Sequence, residues 1–141
     1  MNENEFEKLV SEGYDQLPEW VRKKISNVAI LVEDEPSEED RKAQGLTEDE
    51  TLLGLYKGIP LSARGEMYGV GMTLPDTITI YMLPTLDMAD EEVGPDASDE
   101  LFKIHVRKIV ADTIWHEFAH HFGMDEHEVH EREEKRLSPG E

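Results

Sequence analysis

The sequence contains no cysteine. That excludes a disulfide framework, a thiolate metal site and a cysteine nucleophile. It suits a reducing compartment, so the cytoplasm is the expected location. Positive charge is scarce: 14 lysines and arginines stand against 33 aspartates and glutamates, for a formal charge of -19. Such a surface is repelled by phosphate backbones and anionic headgroups, so neither nucleic acid nor membrane is an expected partner. No unbroken apolar run approaches the roughly 20 residues that cross a bilayer. The opening "MNENEFEKLV" is acidic and mixed, unlike the basic start and apolar run of a secretory signal. Most of the acidity reads as a solvated surface, because the carboxylate-rich stretches lack the spacing of a calcium loop.

What is present suffices for a packed core. A chain of 141 residues is of single-domain size, and residues 1–141 are read as one domain. Phe6, Leu9, Val10 and Tyr14 share a helix face between Glu3 and Tyr14. Pro18 is placed to open a short second helix that turns Trp20, Val21 and Ile25 inward. The β-branched run Val28 to Val32 reads as a buried strand, followed by a charged connector. Leu52 to Lys57 reads as a second strand, with glycines that signal close backbone approach. Ser62 to Pro75 is expected to be a loop. "DTITIYML" alternates threonine or tyrosine with isoleucine or methionine and forms a third strand. "PTLDMADEEVGPDAS" is read as an acidic loop. A long helix then runs from an N-cap at Ser98 to Phe122, stopped by Gly123. Its stripe is Phe102, Val106, Ile109, Val110, Ile114 and Phe118. A short charged helix is expected over Glu126 to Arg136.

The histidines are unevenly placed. Five of the six lie between His116 and His130, in "HEFAHHFGMDEHEVH". His116 and His120 are four residues apart on the predicted helix, about 400° of rotation, so both imidazoles leave one side. Glu117 is offset by about 100°. It can therefore reach a water beside a metal without ligating the metal. This is the H-E-x-x-H arrangement, in which the glutamate is a general base. A catalytic zinc takes three protein ligands and leaves one position open. Imidazole and carboxylate favour zinc, one per chain, although they also accept iron, cobalt or nickel.

The third ligand is sought after Gly123. In H-E-x-x-H-x-x-G-x-x-H, the last histidine returns to the metal. Here that position is Glu126, an acceptable zinc ligand. Asp125, His127 and His130 compete with it. His121 faces elsewhere and is expected to pack or hydrogen-bond, and His105 is isolated.

Several segments in order, "LPEWV", "NVAILVEDEP", "LLGLYKGIPLSARG", "LPDTITIYMLP" and "HEFAHHFGMDE", resemble the small bacterial zincin-like metallopeptidases, or minimal zincins. They span most of the chain from Leu17 to Glu126. The resemblance implies an α+β zincin-like fold, a small mixed sheet packed against a long active-site helix. It implies metal ligands His116 and His120, the base Glu117, and an acidic third ligand at the position of Glu126. Members often carry aspartate there, which keeps Asp125 in view. In zincins a peptide substrate adds to an edge strand above the metal helix. "DTITIY" is the candidate edge, with Thr77 to Tyr81 facing the cleft, and an ordinary sheet strand is the competing reading. Tyr81, Tyr68 and Arg64 are candidates to stabilise an oxyanion, against simple packing roles.

Two functions compete. One is a zinc-dependent metallopeptidase acting on a peptide or protein substrate. The other is a catalytically inactive zincin-like metal-binding or protein-interaction module. Little chain follows the motif, no Met-turn is present, and no apolar specificity pocket is evident, which is what keeps the second alive.

Overall fold

The computed structural model describes residues 1–58 and 76–121. The expected Ser62–Pro75 loop, the stop at Gly123 and the helix after Glu126 lie outside them. In chain order the elements are α1 (Glu3–Asp15), α2 (Glu19–Lys24), β1 (Val28–Glu33), α3 (Glu38–Ala43), β2 (Gly54–Lys57), β3 (Asp76–Tyr81), α4 (Met82–Val93) and α5 (Asp99–His121).

The three strands form one mixed sheet in the order β1-β3-β2. β1 runs parallel to β3, with Val28 opposite Asp76 and Glu33 opposite Tyr81. β2 runs antiparallel to β3, with Gly54 opposite Ile80 and Lys57 opposite Thr77. Among the described strands the third is therefore central, which fits the reading as an ordinary sheet strand and not the candidate substrate-binding edge that the resemblance suggested. Alternation normally marks a half-solvated strand, yet both faces are covered here: Ile78 and Ile80 are 0% exposed, Thr79 5% and Tyr81 0%. Conversely β1, expected to be buried, lies at an edge of the sheet as described, with Leu31 45% exposed.

α5 organises the core. Val106, Ile109, Val110, Ile114 and Phe118 are buried along the expected stripe, and Ala111, Trp115 and Ala119 widen it. The helix starts where the sequence placed it, with the Leu101 N–H donating to Ser98 Oγ at 3.1 Å. Helices α1 and α4 and strands β2 and β3 all pack on it. α1 comes very close: a Cβ on Gly13 would sit 2.8 Å from the Arg107 carbonyl oxygen. On α2, Val21 and Ile25 point inward as expected, but Trp20 is 39% exposed. It lies about 100° from Val21 around the helix and meets Trp115 and Phe118 edge-on, with centroids 5.8 and 5.9 Å away.

Two stretches read as irregular are helical. In the connector, Ser37 caps α3 by accepting the Asp40 N–H at 3.1 Å. The acidic "MLPTLDMADEEV" is α4, whose Met82, Thr85 and Ala89 are buried and whose Leu86 packs on the core. Their spacing is helical, but the carboxylates around them and Pro84 obscured it. Pro84 lies in the first turn, where the missing N–H would have no helical partner. The result is an α+β arrangement: a small mixed sheet with a long helix packed against it.

Candidate functional site

The last two turns of α5 carry His116, Glu117, His120 and His121. Their backbone is fixed from the opposite side, where Trp115, Phe118 and Ala119 are 2%, 1% and 0% exposed. His116 is half-buried and His120 exposed. Their rings lie nearly parallel, with centroids 6.4 Å apart and planes inclined by 18°. The four-residue spacing thus puts both imidazoles on one side of the helix.

Glu117 turns toward the sheet. Its Oε1 accepts the backbone N–H of Tyr56, on β2, at 2.9 Å. Burial pushes the Glu117 carboxyl above its ordinary value. The Tyr56 N–H pulls the other way, as do His120 and His116. Desolvation disfavours the charged form, while a hydrogen bond to the carboxylate favours it. The outcome is an anchored carboxylate with raised basicity.

β2 reaches this position because nothing projects from Gly54. A Cβ there would lie 2.6 Å from Thr113 Cγ2 and 2.9 Å from the Thr79 carbonyl oxygen. Further along β2, the Tyr56 hydroxyl donates to Asp76 Oδ2 at 2.9 Å. The Tyr56 ring stacks on His121 at 3.8 Å, with planes 13° apart. His121 Nε2 lies 3.9 Å from Asp76 Oδ2. Lys57 Nζ meets both oxygens of the buried Asp40 carboxylate, at 2.8 and 2.9 Å, which raises the lysine's pKa. Sequence reasoning missed Tyr56 and Asp76. Only the strand pairing brings them to the helix end.

The donor set suits zinc in kind. Two imidazoles with ring centroids 6.4 Å apart are the nitrogen donors that such an ion takes. Among the described residues no three histidine, aspartate or glutamate side chains form a metal-holding group. A third donor would therefore come from outside them. Glu126, Asp125, His127 and His130 all lie outside, as do Tyr68 and Arg64.

Tyr81 is not a cleft donor. It is 0% exposed, and its buried hydroxyl has no hydrogen-bond partner among the described residues. Burial, aided by Asp40, Glu33 and Glu117, pushes its pKa up to about 12. His105 is removed from the cluster and ties α5 to α4, its Nδ1 lying 2.8 Å from Glu92 Oε1. Among the described residues no helix is long and apolar enough to cross a membrane.

Residues 25–136 match the family described as zincin-like metallopeptidase. No curated protein matches the chain. Among solved structures, a conserved hypothetical protein from T. thermophilus is similar. The TM-score is 0.49 and the identity 23%, over 86% of this chain and 94% of that one.

Proposed function

Because the chain belongs to the zincin-like metallopeptidase family, we propose that it hydrolyses peptide bonds with Glu117 as general base. In this reading His116 and His120 hold a single zinc ion, and Glu126 completes the protein ligands, with Asp125, His127 and His130 as its rivals. Bound there, the ion would lower the pKa of a water and polarise the scissile carbonyl.

The carboxylate is what carries the reading. Glu117 follows His116 directly, its Oε1 is fixed by the Tyr56 N–H at 2.9 Å, and burial raises its pKa. A general base works best when its pKa approaches the operating pH. With Oε1 fixed, Oε2 is the oxygen free to take the proton of the attacking water. The hydroxyl of that water bonds to the carbonyl carbon, the C–N bond breaks, and Glu117 returns the proton to the leaving amine. A purely structural ion would leave a half-buried, raised carboxylate beside two imidazoles without a task.

The substrate is a peptide or protein, and the cytoplasm is the proposed location, in keeping with a cysteine-free chain. The test is Glu117→Gln beside the wild type, both zinc-loaded, on a broad peptide library. The variant should keep its metal and lose about 10²-fold or more of its hydrolysis, the range general bases contribute. Equal cleavage by both proteins would remove Glu117 as base. A zinc-loaded wild type that cleaves nothing leaves the non-catalytic binding module.

A further inference from the structure

The Glu117 anchor is a backbone group, so its direction depends on how the rest of Tyr56 is held. The ring is gripped by two different elements. Asp76 Oδ2 takes its hydroxyl proton at 2.9 Å, and Asp76 opens β3, the central strand. The imidazole of His121 covers one ring face at 3.8 Å, and His121 follows His120 on α5. Sheet and helix thus meet on one tyrosine, at the residue whose N–H meets Glu117.

We propose that Tyr56, clamped between Asp76 and His121, is a positioning residue that sets the orientation of the Glu117 carboxylate. The inference rests on Glu117 acting as the base. A tyrosine that merely filled space would be served by any apolar ring. Tyr56 is only half-buried and spends its hydroxyl on a carboxylate, a bond that fixes ring direction more than it excludes water. The β2–β3 ladder sets the course of the strand, with Tyr56 opposite Ile78, and a ring held at both its hydroxyl and its face restrains the residual shifts that would turn the Tyr56 N–H away from Glu117. Gly58 leaves room around the clamp: a Cβ there would come no nearer than 3.8 Å to Asp76 and 3.9 Å to His121. A carboxylate released from this anchor would sample poses about an ångström from the productive one, and displacements of that size cost up to about 10²-fold in rate.

The test combines amide NMR with kinetics on the zinc-loaded protein. The amide proton of residue 56 is followed in Tyr56→Phe, Asp76→Ala, His121→Ala and His121→Phe. Glu117→Ala supplies the resonance position of an amide without its acceptor. In Tyr56→Phe and Asp76→Ala the resonance should move toward that reference, and its hydrogen exchange should quicken about tenfold. Ile78 and Val110 amides should stay protected, which separates loss of the clamp from loss of the fold. Against any peptide the wild type cleaves, kcat should fall about tenfold with KM unchanged. His121→Phe, which keeps a stacked ring, should recover most of what His121→Ala loses. An amide that stays in place in Tyr56→Phe and Asp76→Ala overturns the proposal, as does an amide that moves while kcat does not. If no peptide is cleaved, the peptidase reading fails on its own, and the amide resonance alone decides whether Tyr56 holds Glu117.

Discussion

Replacing Gly54 with alanine tests the contact between sheet and helix that brings Tyr56 to Glu117. The added Cβ would stand 2.6 Å from Thr113 Cγ2 and 2.9 Å from the Thr79 carbonyl oxygen, whereas carbon atoms rest at about 3.5–4.0 Å. Something must therefore yield by roughly an ångström. Thr113 cannot simply rotate, because its Oγ1 donates to the Ile109 carbonyl at 2.7 Å and β-branched side chains are stiff in helices. Overpacking of this kind costs about 1–3 kcal/mol. The lower entropy of alanine in the unfolded chain returns about 0.4–1 kcal/mol. The net expectation is a loss of about 1–2 kcal/mol, read as a lower urea midpoint at constant m-value. Thr113→Ser keeps the hydroxyl and removes the opposing methyl. It should cost about 1 kcal/mol alone, yet offset part of the alanine's penalty in the double variant, with a coupling of about 1 kcal/mol. Rescue stays partial because the Thr79 carbonyl remains. A Gly54→Ala protein as stable as wild type, or a cycle with no coupling, would refute the reasoning.

Two further outcomes are expected. Tyr81→Phe should match or exceed wild-type stability by about 1 kcal/mol near pH 7, since it removes a buried hydroxyl that has no partner among the described residues. Its advantage should widen in alkali. The folded pKa of Tyr81 is raised to about 12 against about 10 in the unfolded chain, so wild-type stability is intact below pH 10 and falls as the pH rises toward 12. Urea titrations at pH 7 and pH 11 measure both, and a variant more than 1 kcal/mol weaker at pH 7 would count against the unsatisfied hydroxyl. Second, elemental mass spectrometry should find about one zinc per chain in untagged wild-type protein and little in His120→Ala, while chelation should abolish any peptide cleavage. Equal zinc in both proteins would remove His120 as a ligand.

How much of this was legible in the sequence depends on how far apart the partners lie along the chain. α5 could be read almost whole, because its stripe, its Ser98 cap and its His116–His120 spacing are local. α1 was legible for the same reason. α4 was not, although Met82, Thr85, Leu86 and Ala89 recur at helical spacing, since its carboxylates and Pro84 signalled a loop more loudly. The rank of strands in the sheet was out of reach. Alternation in "DTITIY" shows which residues share a face, and says nothing of whether another strand lies on each side. The anchor of Glu117 was hidden more deeply, because Tyr56 contributes through its main chain, 61 residues away, and any residue but proline carries that N–H.

The packing of α1 on α5 also bears on synthesis. Glu12 pairs with Arg107 across 95 residues, at 3.0 Å, and Gly13 abuts the backbone of the same helix turn. The first described helix thus finds its cover only after the ribosome has made the last described one. Until then the apolar faces of α1 and β3 are open to water, and a nascent chain in that condition needs shielding or delay to avoid sticking to its neighbours. The turns bearing His116, Glu117 and His120 also carry Trp115, Phe118 and Ala119, which help to close the core. Completion of the core and assembly of the site should therefore be nearly the same event.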